Sequence, residues 1–113
     1  MRDDRERLLD MAQAIEEIGK HLVPSLDEFE RDRLRQVWVI HHLQIMGEAA
    51  RTLSEAFRQQ HSEVPWSRIA ALRHVLVHQY FDTDVRALWA VVQQDLPKVR
   101  TQIAQLLEEP GDD

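Results

Sequence analysis

The sequence predicts an all-α fold, a bundle of four to five helices forming a single domain over residues 1–108 with a polar tail at 109–113. Three observations predict it. Apolar residues recur at steps of three and four along most of the chain, as one face of a helix requires. The composition is 43% hydrophobic and 30% charged with only three glycines, which favours a globular helical protein over a disordered one. A length of 113 residues suits one hydrophobic core and leaves little for a second.

The first helix is expected from about Asp4 to His21, where Leu8, Met11, Ala12, Ile15, Ile18 and Leu22 make one apolar face. Pro24 ends it, and Ser25 or Asp27 can cap the next, with Glu28 and Glu30 placing negative charge where the helix dipole favours it. From about Asp27 to Gln59 no proline intervenes, so one long second helix is expected. Its apolar residues, among them Val37, Trp38, Ile40 and Ile45, spread wider than one stripe. One face would then pack on the domain's core and another on a second copy, which makes a symmetric homodimer the default expectation. Gly47-Glu48-Ala49-Ala50 is a small-residue patch where another backbone can approach, and Glu48 beside it can pair with an arginine or lie half-exposed.

A loop over His61–Val64 leads to Pro65, a first-turn residue for a third helix through Trp66, Ile69, Ala70, Leu72, Val75 and Leu76, ending near His78–Phe81. Asp82, Thr83 and Asp84 are cap candidates for a fourth helix through Val85, Leu88, Trp89 and Val92. Asp95-Leu96-Pro97 is expected to restart the chain, with Val99, Ile103, Leu106 and Leu107 facing inward from a last helix.

No cysteine is present, which excludes disulfides, thiolate metal sites and a thiol nucleophile. The charged N-terminal residues are not followed by an apolar segment, and no apolar run is long enough to span a bilayer, so a cytoplasmic protein away from the membrane is expected. The net charge of −6 is unevenly spread: residues 31–80 hold seven arginines against four acidic residues, whereas both flanking segments are acidic. Five of the six histidines also lie in this middle segment, so an anionic ligand would be met there.

Several signatures are absent. There is no Glu-x-x-His pair for a di-iron bundle, no His-Glu-x-x-His, and no glycine-rich phosphate loop. His61-Ser62-Glu63 has the start of a deaminase motif without the cysteines its zinc needs. What remains is Arg73-His74-Val75-Leu76-Val77-His78-Gln79-Tyr80, a guanidinium, two imidazoles and a phenol within eight residues.

From residue types alone, three readings of this segment stay open. Arg and His in a final helical turn complement the dipole and cap free carbonyls. His74 and His78, four apart on one face, supply two ligands of a metal site that needs a third. An arginine that stabilises charge on a phosphorane, beside a histidine that moves protons, supplies what phosphodiester cleavage requires. Residues five apart on a helix differ by about 500°, or roughly 140° around the axis. Arg73 and His78 therefore do not simply lie side by side; either the helix ends between them or a site combines two subunits.

Arg73-x4-His78-x-Tyr80 after a Trp-containing helix start resembles the signature of the HepT-like branch of the HEPN ribonucleases. The similarity extends through Gly47-Glu48-Ala49-Ala50, Val64-Pro65-Trp66, Leu72-Arg73, Leu76-Val77-His78, Tyr80-Phe81-Asp82, Val85, Trp89 and Asp95-Leu96-Pro97, in the family's order and over nearly the whole domain. The resemblance implies a HEPN-like helical bundle dimer that cuts RNA without metal or other cofactor. Arg73 would bind and polarise the scissile phosphate, and His78 would take a proton from the ribose 2'-hydroxyl or give one to the leaving oxygen, leaving a 2',3'-cyclic phosphate. His74 and Glu48 would be auxiliary. Tyr80 matches the tyrosine that a MntA-like nucleotidyltransferase antitoxin modifies with AMP to silence the toxin. Two positions depart from the usual pattern: His74 stands where Asn is common, and Gln79 precedes the tyrosine where Gly is usual. Two rivals remain beside this reading, a noncatalytic helical module that binds a nucleotide or partner protein, and a metal-dependent hydrolase built on His74 and His78.

Overall fold

The computed structural model describes the backbone of residues 3–78 and 85–109 and the side chains of 3–74 and 85–109. All regular structure among the described residues is helical. The elements are α1 (Asp4–Lys20), α2 (Leu26–Glu30), α3 (Arg33–Thr52), α4 (Glu55–Gln60), α5 (Trp66–His78), α6 (Val85–Ala90), a π-helical turn (Val91–Asp95) and α7 (Leu96–Glu108). Four long helical paths result: α1, α3, α5, and the path over 85–108.

α1 starts where Asp3 accepts from the Glu6 amide and buries Leu8, Met11, Ile15 and Ile18 of the expected face, with Ala14 buried where Ala12 was expected. The expected single helix over Asp27–Gln59 is instead three. Ser25 caps α2 by accepting from the Glu28 amide, and Asp32 caps α3 by accepting from the Arg35 amide. Each such acceptor satisfies an orphan N–H of a first turn, so a cap at Asp32 makes a new start there favourable. The buried Gln36 donates back to the carbonyls of Phe29 and Glu30, satisfying the end of α2.

The far end of α3 breaks at Leu53, in extended conformation, and Ser54 caps α4. Ser54 is held from a distance: its amide and hydroxyl donate to the two carboxylate oxygens of Asp4, at 2.8 and 2.7 Å. The expected restart at Pro97 is likewise absent. α6, the π turn and α7 follow one another with helical backbone at Ala90 and Leu96, and the Leu96 amide bonds to the Val91 carbonyl five residues back. A proline lacks the N–H and crowds the carbonyl four residues earlier, here Gln93; the wider turn immediately before Pro97 absorbs that clash without ending the helix.

α3 is the central element, packed on α1 along one side and α5 along another, while α1 also contacts α7. Val39, Ile40, Leu43 and Met46 of α3 meet Met11, Ile15 and Ile18 of α1, Trp66 and Ile69 of α5, and Leu96, Val99 and Ile103 of α7 in one buried cluster. Phe29 of α2 is fully buried and stacks at 5.2 Å on Trp89. No helix among the described residues is long and apolar enough to cross a membrane.

Candidate active site

The site forms where α3 crosses α5, and Gly47 sets the distance. A Cβ at this position would lie 2.8 Å from the Arg73 amide nitrogen, 3.0 Å from the Arg73 Cβ and 3.2 Å from the Ala70 carbonyl. Only a residue without a side chain lets the α5 backbone come this close, so the glycine expected to admit a neighbour admits the turn that carries Arg73.

That approach brings Glu48, the next residue on α3, against the Arg73 guanidinium. Arg73 Nη1 donates to Glu48 Oε2 at 3.0 Å, and its Nη2 contacts His74 Nε2 at 3.0 Å. A guanidinium only donates, so the imidazole nitrogen is the acceptor in this contact. Nε of Arg73 is buried, so the terminal nitrogens carry the contacts. Arg73 therefore reaches across to another helix instead of turning to its own helix's terminal carbonyls, unlike the dipole-capping reading of the sequence.

Glu48 holds a second guanidinium. Arg51 Nη2 donates to Oε1 at 2.6 Å and its Nε to Oε2 at 3.3 Å. This Arg51 hydrogen bond first, and then the positive charges of Arg51 and Arg73, hold the Glu48 carboxyl below the usual carboxylate range despite some desolvation. Glu48 in turn raises the pKa of Arg51. Among the described residues, two guanidinium charges meet on one carboxylate, in a chain whose net charge is −6.

The structure thus brings together three of the expected site residues, Arg73, His74 and Glu48, and adds Arg51. The expectation for His78 concerns a side chain outside those described; its backbone is the last residue of α5. Tyr80 and Gln79 lie outside the described residues. Arg51 was not singled out from sequence, although its spacing of three from Glu48 puts the two on adjoining positions of one helix. Among the described residues no group of three or more His, Asp or Glu side chains is gathered to hold a metal ion.

An all-helical bundle with a half-buried arginine of an Arg-x4-His pattern at a helix crossing defines the class of protein, and comparison with known sequences gives the family. The family model described as "Ribonuclease HepT-like" matches residues 11–106. A Thermococcus cleftensis protein named probable ribonuclease HepT is 36% identical over 106 residues, covering 93% of this chain and 96% of the relative. A Caldanaerobacter subterraneus protein named as a candidate RNase is 33% identical over 84 residues, 74% of this chain and 75% of its own. A Methanocaldococcus jannaschii protein, named as a gamma-glutamylcyclotransferase and candidate RNase, is 33% identical over 102 residues, 90% of this chain and 45% of that longer protein. No solved structure matches. The chain belongs to the HepT-like ribonuclease family.

Proposed function

We propose that the chain is a metal-independent endoribonuclease, the toxin of a toxin–antitoxin pair, acting as a homodimer and silenced by transfer of AMP to Tyr80 from a MntA-like nucleotidyltransferase antitoxin. The observation that carries the nuclease reading is the part-exposed Arg73, pinned by Glu48 and His74 with Arg51 on the same carboxylate, in a member of a ribonuclease family. A guanidinium held in place before substrate arrives stabilises charge developing on a phosphorane without reorganising.

In the proposed reaction the 2'-oxygen forms a bond to phosphorus while the bond to the 5'-oxygen breaks. His78 accepts the 2'-hydroxyl proton or protonates the leaving 5'-oxygen, and a histidine of the second subunit or water completes the other transfer. The products are a 2',3'-cyclic phosphate and a 5'-hydroxyl, and no metal takes part. AMP on Tyr80, two residues after His78, would add negative charge and bulk beside the phosphate site and repel RNA.

Support for a dimer comes from the outer face of α3. Leu34, Trp38, His41, Ile45 and Glu48 advance by alternating steps of four and three, the spacing of a seam between paired helices. Leu34 is 74% exposed and borders a surface cavity of about 510 Å³ with Val37, Trp38 and His41. A second α3 on this seam would place two Glu48–Arg73 clusters along one interface, which also meets the geometric requirement for sharing Arg73 and His78 between subunits. Leu34→Glu is expected to shift the protein to monomer in analytical ultracentrifugation; an unchanged dimer would move the interface elsewhere.

The nuclease reading is tested by incubating purified protein with total RNA, with and without chelator, beside Arg73→Ala and His78→Ala. Cleavage that survives chelation and disappears in both variants supports it. Chelator-sensitive cleavage would favour a metal site on His74 and His78, and intact RNA would favour a noncatalytic binding module.

A further inference from the structure

Glu48 is shared by two arginines, and that sharing is unlike the other arginine pairs on neighbouring helices. Arg31 pairs with Asp27 and Arg35 with Asp32, one guanidinium to one carboxylate, within a single turn. At Glu48 the carboxylate bonds Arg73 from α5 and Arg51 from its own helix at once. Arg73 alone would neutralise Glu48. A second guanidinium beside the first adds like-charge repulsion that a further anion would relieve.

Arg51 is built to receive such an anion. Its pair with Glu48 uses Nε and Nη2, so Nη1 takes no part in it. The Arg51 side chain is 51% exposed, and that of Arg73 is 35% exposed, so both face the same accessible surface around Glu48. A planar guanidinium fixed along one edge presents its remaining donors in a set direction, which suits a phosphate better than a mobile cation would. Its position in the last turn of α3, where the Thr52 hydroxyl donates to the carbonyls of Glu48 and Ala49, keeps it on a helical scaffold.

We propose that Arg51 is a second phosphate-binding residue of this site, holding the RNA phosphate adjacent to the one at Arg73, with Glu48 as the bridge that spaces the two guanidiniums. The inference rests on the ribonuclease reading and deepens it. Arg73 acts at the scissile phosphate, and Arg51 fixes the register of the strand by binding its neighbour. Phosphate contacts of this kind position a nucleic acid without reading its sequence.

The test is steady-state cleavage of a short RNA oligonucleotide by the wild-type protein, Arg51→Ala, Arg51→Lys and Arg73→Ala over a series of salt concentrations, with folding checked by circular dichroism. Arg51→Ala is expected to raise KM several-fold with kcat within about twofold of wild type. The slope of log affinity against log salt should fall by roughly 0.7, as loss of one phosphate contact to a single strand predicts. Arg51→Lys, which keeps the charge and loses the fork, should recover the slope and only part of the KM. Arg73→Ala should instead abolish turnover. If Arg51→Ala keeps the wild-type KM and slope while Arg73→Ala is inactive, Arg51 is only a helix pair and this inference falls while the nuclease reading stands. A lower kcat with unchanged KM and slope would also overturn it, reducing Arg51 to a support for Arg73 through Glu48. If the wild-type protein cleaves no RNA, the nuclease reading falls and takes this inference with it.

Discussion

The first half of α3 and its end solve opposite problems with similar residues. Midway along the helix, His42 is 6% exposed and its Nδ1 donates to the Trp38 carbonyl at 2.9 Å; the Trp38 ring lies tilted against that of His42 at 4.3 Å and its indole donates to the Glu17 carbonyl. These two polar rings close on the backbone, beside the exposed Leu34. Near its end, Glu48, Arg51, Arg73 and His74 bond one another through side chains that remain partly exposed. A histidine tied to a buried carbonyl specifies packing, whereas a histidine tied to a part-exposed guanidinium joins a charge network that a ligand can enter. The difference separates polar groups closed on the backbone from polar groups that solvent or a ligand can reach.

The sharpest way to break that contrast is Arg73→Ala, expected to lower RNA cleavage by about 100- to 1,000-fold, the range for losing one group that stabilises transition-state charge. Its melting temperature should barely move, because the side chain is part-exposed and its ion pair contributes little to folding. A variant that lost activity only through unfolding would place Arg73 with His42 as a structural residue.

Gly47→Val should come next, destabilising by about 1–3 kcal/mol in urea unfolding, because the added atoms meet the backbone of α5 rather than the end of a flexible side chain. Gly19→Ala is its control. A Cβ there meets nothing within 4 Å, and replacing a helical glycine is expected to stabilise by roughly 0.5–1 kcal/mol. Equal effects at the two glycines would mean that α3 and α5 do not cross as closely as described. His42→Ala should cost about 1–3 kcal/mol through a lost hydrogen bond and a small cavity, yet leave cleavage unchanged.

The smallest effect concerns pH. The Glu48 carboxyl is held below its ordinary value, so whatever it contributes is complete above the unfolded-state range near about 4.3 and is lost as pH falls through the lower folded value. At 44% exposure solvent screens most of that contribution. An NMR titration should find its midpoint below those of unpaired glutamates, and Arg51→Ala should raise it. A midpoint at the ordinary value would mean the cluster does not persist in solution.

Much of this arrangement was legible in the sequence because it depends on local spacing. The apolar face of α7 and most of that of α1 follow from their periodicity, as do Trp66 and Ile69 of α5, and Gly47 beside Glu48 signalled a close approach. What escaped depends on contacts between distant residues. The proline-free stretch over 27–59 suggested one helix, yet Asp32 restarts it, and the Ser54 break is fixed by Asp4, fifty positions away. Pro97 indicated a new helix because a proline usually stops one, and the π turn before it removes the reason to stop. At the site, Glu48 and Arg73 were both visible, but the third member, Arg51, emerges only when one carboxylate is seen to hold two helices together.

The most direct test of the central claim uses an RNA oligonucleotide cut at one position, and the same oligonucleotide with a single 2'-deoxy nucleotide there, in the presence of chelator. The account predicts a 2',3'-cyclic phosphate and a 5'-hydroxyl from the first and no cleavage of the second, with both signals lost in Arg73→Ala. Cleavage of the deoxy substrate, or 5'-phosphate ends that require a divalent metal, would contradict it.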